Sequence, residues 1–369
     1  MQLTISREQI SQGLSAVQNV VSARSTLPIL SNVLLRAEDA KLELTATDLD
    51  VAITSTVQAE VKKGGATTVP VKKLVGIVRE LSGSELEIEV DDKNHCAIRC
   101  GPSFYKMIGL PAEEFPPVQR LKEDRKVAIP QGKLKNMLRK TAYAVSSDET
   151  RYVLNGIFFS LKDHRLTLVA TDGRRLALVE EDVDVGEAKQ GEFIVPAKTV
   201  AELERLLGEV GEVEVRFTEN LAAFTLESEN GPKAVVQTKL VEGNYPNYRQ
   251  VIPREAKQRI TLVREEFLHA LRRAEIMTTE KSNSVKLAFA KNSLTITANS
   301  PDVGEARETL AINYKGEELC IAFNPRYLIE PLTALSDDEV YFELIDELSP
   351  GVLKVKSPFL YVVMPMRLA

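Results

Sequence analysis

His95, Cys96 and Cys100 are the densest group of potential metal ligands in the chain. Two thiols and an imidazole could begin a zinc site, but zinc needs a fourth ligand and paired spacing, and neither follows. The segment reads instead as a strand with ordinary thiols. Asp48 and Asp50 form an Asp-Leu-Asp pair after an apolar run, which could hold a cation or share a proton. Related segments do not keep the pair: one has Arg174 at the second position, another has Ser300 and Asp302. Turn and capping roles are expected for these carboxylates. His164 and His269 have no visible partner and are expected at the surface or satisfied locally. There is no GxxxxGK[ST] loop, HExxH, GxSxG or GxGxxG. The residue types therefore point to no catalytic centre, no metal site and no cofactor.

The elements that carry these residues belong to a chain of 369 residues, 44% hydrophobic and 27% charged, enough for two or three globular domains. No apolar run approaches the ~18–20 residues of a membrane helix. The N-terminus lacks a basic patch followed by an apolar stretch, so no secretory signal is expected. Three cysteines, Cys96, Cys100 and Cys320, make no disulfide framework, and a reducing cytoplasm is expected. Tryptophan is absent and aromatics are 6%, which argues against recognition by base stacking; a net charge of −6 argues against a simple nucleic-acid binder.

A long-period repeat organises the sequence. The strings Leu42–Asp48, Leu166–Asp172 and Leu294–Ser300 resemble one another at spacings of 124 and 128. A second marker, at Pro70, Pro196 and Asn324, recurs at 126 and 128 in the same order. Pro/Gly-rich connectors at 110–117 and 243–253 divide the chain into three tandem domains, 1–120, 125–250 and 255–369. Each repeat reads as a helix, strands, a short helix and more strands, an α+β class with two helices packed on antiparallel sheet. Ser6 and Gln9 suggest a capping box, followed by the apolar face Ile10, Leu14, Val17 and Val21. The matching first helices carry Leu134, Met137, Leu138 and Val145, then Phe267, Leu268, Leu271 and Ala274. Asn324 is placed to cap the last helix, and Pro331 is expected to kink or shorten it.

Charge is unevenly spread. The helical windows 6–24, 71–82, 131–147, 197–207, 264–281 and 325–335 carry a net +7, which leaves −13 for the rest, and the third repeat contributes nothing net. Basic helices facing phosphate would explain this; so would the good helix propensity of Lys and Arg.

The repeats, the loop Thr171–Leu176, the segment Thr26–Leu30 and the ending Tyr361–Leu368 together resemble the bacterial DNA polymerase III β subunits, the replicative sliding clamps, over essentially the whole length. The resemblance implies the DNA-clamp fold: three clamp domains per chain and a head-to-tail homodimer closed as a ring around double-stranded DNA, helices inward. It implies a non-enzymatic processivity factor that tethers the polymerase III alpha subunit and other polymerases and repair proteins, and is opened by a clamp loader. A scaffold that never encircles DNA and a hydrolase using surface acid pairs are the alternatives.

The resemblance further implies a partner-peptide groove formed by Leu154, Thr171, Gly173, Arg174, Arg175, Leu176, Pro246, Val251, Asn324, Tyr327, Val362, Met364, Pro365 and Met366. Gln250 stands where many relatives have arginine, and Arg174 where many have histidine, so peptide preference is expected to differ. Arg24, Lys72, Lys73, Arg79, Lys198 and Arg205 match basic inner-surface positions. Helix charge adds Lys135, Arg139 and Lys140, and Tyr152 with the 146–150 loop is expected beside DNA. The dimer seam is expected to set Tyr105 and Met107 against Ile276 and Met277.

Overall fold

A computed structural model describes residues 1–21, 27–118, 121, 125–184, 186, 189–227 and 233–367. They form two compact units, residues 1–135 with 198–240, and residues 136–197 with 241–369. The helices are α1 (Arg7–Val17), α2 (Val71–Glu80), α3 (Gln131–Arg139), α4 (Ala197–Leu206), α5 (Arg264–Glu275) and α6 (Pro325–Ala334).

The first unit holds an eight-stranded antiparallel sheet in the order Lys126–Pro130, Glu212–Phe217, Leu221–Leu226, Lys233–Lys239, Val51–Gln58, Lys41–Thr47, Asn32–Glu38, Gly65–Pro70. Four of these strands come from the middle repeat and four from the first. They join where Lys233–Lys239 pairs with Val51–Gln58. The second unit has a matching eight-stranded sheet: Gly191–Pro196, Gly156–Lys162, Arg165–Thr171, Arg175–Asp182, Phe359–Val363, Gly351–Lys354, Glu339–Leu344, Gln258–Val263. Its join is Arg175–Asp182 against Phe359–Val363, again middle repeat against a neighbour. Two smaller sheets remain. The five-stranded one ends at the edge strand Ser103–Ile108, and the four-stranded one at the edge strand Gly304–Ala311.

Strand alternation and helix periodicity set the core as expected. Ile10, Leu14 and Val17 of α1 are buried. The helix lies so close to the sheet that a β-carbon at Gly13 would stand 2.6 Å from Leu44 Cδ1. Ser6 caps α1, its Oγ accepting from the Gln9 N–H at 3.2 Å. In the strand His95–Cys100, alternation buries Cys96, Ile98 and Cys100 on one face and turns His95 to the other, where it meets Asp91 at 2.9 Å. The thiols and the imidazole therefore cannot converge on one ion, and burial pushes the Cys96 thiol up to about 12.

All six helices end before their sequence windows do, three of them by six residues or more. The carbonyls of Ser15 and Ala16, which a longer α1 would give to residues 19 and 20, accept from the Arg205 guanidinium at 2.9 and 2.7 Å. After α3 the Thr141 hydroxyl donates to the carbonyls of Met137 and Leu138, and a 3₁₀ turn, Ala142–Ala144, follows; Val145 lies beyond the helix. The chain leaves α5 at Glu275, whose carbonyl accepts from both Thr278 N and Thr278 Oγ1 at 2.9 and 2.8 Å.

Pro331 neither ends nor shortens α6, which runs on to Ala334. A proline there removes the N–H that would serve the carbonyl of Tyr327. The buried Tyr361 hydroxyl, from the neighbouring strand, donates to that carbonyl at 2.7 Å. Tyr361→Phe should leave a buried acceptor empty and cost about 1–2 kcal/mol in urea unfolding. The loss should shrink in a Pro331→Ala background, where residue 331 regains its N–H, and equal losses in both backgrounds would show that the hydroxyl serves something else.

Candidate functional site

The loop after the strand Arg165–Thr171 is built by its own side chains. Asp172 Oδ1 accepts from the N–H groups of Arg174 and Arg175 at 2.9 and 3.1 Å. Thr171 Oγ1 accepts from Gly173 N at 3.1 Å and donates to the Arg175 carbonyl at 2.6 Å. Gly173 supplies the φ of +85° that closes the turn. Alternation along the strand that begins at Arg175 then sends Arg175 to one face of the sheet and Leu176 to the other.

Arg175 is the hub of the inner face. Its side chain is only 7% exposed. It pairs with Asp172 at 3.0 Å and with Glu330 of α6, donates to the carbonyl of Tyr143, and lies 4.5 Å over the ring of Tyr327. Burial alone would make the guanidinium less basic; Tyr361, Glu330 and Asp172 outweigh it and the net direction is upward. Burial likewise raises the phenol of Tyr361. One cation thus ties the loop to α6.

On the outer face Leu176 pairs directly across the strands with Val362. Both are buried, in a cluster with Val169 and Val352 against which Phe158, Tyr245, Tyr248 and Ile252 pack. The C-terminal tail is pinned at two points: Met364 N donates to the Arg174 carbonyl at 2.9 Å and Met366 N to the Ala322 carbonyl at 2.8 Å. Between them Met364 is 43% exposed, and Pro365 and Met366 are half-buried. Asn324, near Ala322, caps α6 by accepting from Arg326 N at 3.0 Å. Loop, tail and α6 thus bring together Thr171, Gly173, Arg174, Arg175, Leu176, Asn324, Tyr327, Val362, Met364, Pro365 and Met366. Leu154 ends the 3₁₀ segment Glu149–Leu154 and is buried. Pro246 is exposed beside a cavity of about 500 Å³ on the outer sheet face, and Val251 is 51% exposed. Glu330, Tyr143 and Tyr361 were not singled out from the sequence; Glu330 lies 155 positions from Arg175, and its spacing to Arg326 reads as a routine surface pair.

The first unit repeats this construction with other residues. Thr47 and Asp48 build the same turn, with Leu49 at φ +82° where Gly173 stands. Lys239 N donates to the Asp50 carbonyl at 2.9 Å, as Met364 N does to Arg174. Ala52 and Gln237 replace the Leu176–Val362 pair, and Lys239 Nζ joins Asp50 at 3.0 Å. The Leu176–Val362 pair thus has no apolar counterpart at the matching register of the first unit. Asp48 serves as turn former, held below the usual carboxylate range against the opposing effect of burial by Lys198 and by the N–H groups of Val51 and Asp50.

The basic positions divide. Lys72, Lys73, Arg79 and Arg139 are exposed, and Tyr152 is 58% exposed. Lys135 pairs with Glu209 at 2.8 Å and Lys198 with Asp48, both at the surface. Two expectations are corrected. Lys140 is 6% exposed, its ammonium reaches Ser357 at 3.4 Å, and burial lowers its basicity. Arg205 is committed to Glu202 and to the end of α1. Charge in a helical window does not reveal such tertiary partners. Arg24 lies outside the described residues. Of the seam residues, Tyr105 is 39% and Ile276 72% exposed, Met277 is half-buried, and Met107 is buried on the face shared with Cys96 and Ile98.

Removing Glu330 would leave Arg175 buried with one carboxylate. Glu330→Ala should cost about 3 kcal/mol in urea unfolding. Arg326→Ala, whose side chain is 71% exposed, should cost less than about 1 kcal/mol. Similar values for both would remove Arg175 from its role as hub.

Comparison with known proteins agrees along the whole chain. Residues 1–119, 128–247 and 249–367 match, in turn, the N-terminal, central and C-terminal domain families of the DNA polymerase III beta subunit. The beta sliding clamp of Chlamydia muridarum is 33% identical over 368 residues, covering 100% of this chain and 99% of the relative. That of Caulobacter vibrioides is 35% identical over 376 residues, covering 100% of both. The crystal structure of the sliding clamp of Bartonella birtlesii bound to griselimycin superposes with a TM-score of 0.94 at 37% identity, covering 100% of both chains. The clamp of Bacillus subtilis superposes at 0.94 with 29% identity, again covering 100% of both. The chain belongs to the DNA polymerase III beta subunit family, the beta sliding clamps.

Proposed function

We propose that two copies of this chain join head to tail into a ring around duplex DNA and serve as the sliding clamp and processivity factor of a replicative polymerase. The observation that carries the ring is the bookkeeping of sheet edges. Each repeat junction within a chain joins four strands to four strands, and the first and third repeats each keep a smaller sheet; Ser103–Ile108 and Gly304–Ala311 are the longer edge of each, Glu60–Lys63 and Leu319–Phe323 the shorter. By the rule of the two internal junctions, Ser103–Ile108 of one copy pairs with Gly304–Ala311 of another. Such a heterologous contact makes a closed ring when the rotation per subunit closes. Phe104, Tyr105 and Ile108 on one edge strand, with Val303 and Ile276 in the third repeat, are exposed apolar residues for that seam. Met107 and Met277 support it from beneath.

The ring is not an enzyme; ATP chemistry belongs to the loader. Its contacts with DNA are sequence-blind. Lys72, Lys73, Arg79, Lys135, Arg139, Lys198 and Arg24, with Tyr152, are the proposed DNA-facing set. The pair of Lys135 with the exposed Glu209 is worth about 0–1 kcal/mol, so phosphate can exchange with that carboxylate. The groove of the second unit takes an extended peptide from the polymerase alpha subunit or from other DNA-processing partners, its apolar anchors against Met364, Pro365, Tyr327 and Val251. The proposed domain limits are 1–120, 125–250 and 255–369. No helix among the described residues is long and apolar enough to cross a membrane, and the proposed location is the cytoplasm, with the chromosome.

Loaded on nicked circular DNA with a clamp loader and ATP, the protein should stay bound through gel filtration and be lost once the DNA is linearised. Retention indifferent to linearisation would favour a scaffold that binds without encircling. Tyr105→Glu with Ile276→Glu should convert the dimer to monomer in analytical ultracentrifugation, and an unchanged dimer would move the seam elsewhere.

A further inference from the structure

We infer that the turn 300–304, which leads into the edge strand Gly304–Ala311, is a loosened copy of the two internal junction turns and sets how fast the seam between copies parts. The inference rests on the ring reading. Thr47 pairs with Ala52 and Thr171 with Leu176, with residues 48–51 and 172–175 between them, whereas Asn299 pairs with Glu305 around residues 300–304, one residue more. Carrying the ladder register of the internal junctions to the seam sets Tyr105 of one copy opposite Ala306 of the other, as Val236 stands opposite Ile53 and Tyr361 opposite Ala177. It also aims the Ile108 N–H at the Val303 carbonyl, as Lys239 N meets the Asp50 carbonyl and Met364 N that of Arg174.

The internal turns are fastened by their own side chains. Thr47 Oγ1 accepts from Leu49 N at 3.0 Å and donates to the Val51 carbonyl at 2.9 Å. Asp48 Oδ1 accepts from Asp50 N and Val51 N at 3.1 and 2.8 Å. Thr171 and Asp172 do the same in the second unit. The third turn has Asn299 and Ser300 at these places. Ser300 Oγ is buried without a hydrogen-bond partner among the described residues, the exposed Asn299 side chain takes no turn N–H among them, and Val303 N meets the Ser300 carbonyl at 3.3 Å. Pro301 fixes one φ. The Val303 carbonyl is thus presented by a turn whose other dihedrals no side chain holds, and each closure of the seam has to order it. A ring admits duplex DNA only by parting, and the junction between copies is the one left unfastened.

The test mixes isotope-labelled and unlabelled full-length dimers and follows the mixed dimer by native mass spectrometry, which reads the rate of subunit exchange. Replacing residues 299–303 with the Thr-Asp-Leu-Asp of residues 47–50 gives the seam an internal turn. Exchange should then slow about three- to tenfold, the worth of one regained hydrogen bond. Pro301→Gly, which frees the fixed φ, should speed exchange about two- to fivefold. A graft that exchanges as fast as the wild type, or that no longer dimerises, would overturn the inference and leave the ring standing. So would a Pro301→Gly dimer that exchanges no faster than the wild type. A wild-type protein that sediments as a monomer would overturn the ring reading itself, and the role of the turn with it.

Discussion

An unpaired sheet edge is the constraint on which this molecule is built. The N–H and C=O groups along an edge strand have to find partners, and water or another strand can supply them. Within the chain each repeat solves this by offering one edge to its neighbour, so the eight-stranded sheets cross the repeat boundaries. The units that pack as wholes are consequently not the units that repeat in sequence. The middle repeat gives four strands to each eight-stranded sheet, and the first and third each keep a smaller sheet that no other repeat extends. The proposed ring extends to the dimer the same bonding that holds the subunit together.

The two internal junctions share a backbone and differ in what they display. Both use a Thr-Asp turn whose third residue has positive φ, and both take a donor from the adjoining strand onto the fourth residue's carbonyl. In the first unit that frame carries Ala52, Gln237, Asp50 and Lys239, a small and polar surface closed by its own ion pair. In the second it carries Leu176, Val362, Arg174 and Met364, with Arg175 buried beneath. Few substitutions on a conserved hydrogen-bond frame separate a junction that only joins from one that can also bind. Gly173 takes the positive φ of its turn without a side chain, whereas Leu49 accepts positive φ at the matching place.

Period and punctuation made much of this readable in the sequence. The repeat spacing, the Ser6 and Asn324 caps, the helix faces and the turn role of Asp48 are all local, decided within a few residues. What was hidden is set by partners far apart in the chain. Alternation tells which face a strand buries but not which strand lies beside it, so the division of the middle repeat between two sheets had no local sign. Arg205 and Lys140 look like any helical cations until Ser15, Ala16 and Ser357 are placed next to them. Pro331 looked like a helix breaker because the hydroxyl that relieves it comes from Tyr361.

The weak electrostatics of the helices gain a reason from the same geometry. A protein that holds DNA by charge alone binds more tightly as cations are added, but each added contact must break at every step along the duplex. In the proposed ring, closure removes retention from that balance. Lys135 and Lys198, in the proposed DNA-facing set, are partly neutralised by Glu209 and Asp48, which a ring that does not depend on charge for retention tolerates. A more basic inner surface would add affinity that the ring does not need and friction that a moving polymerase would have to overcome. The net charge of −6 is therefore compatible with a DNA-encircling protein, because a closed ring holds DNA by topology and not by charge.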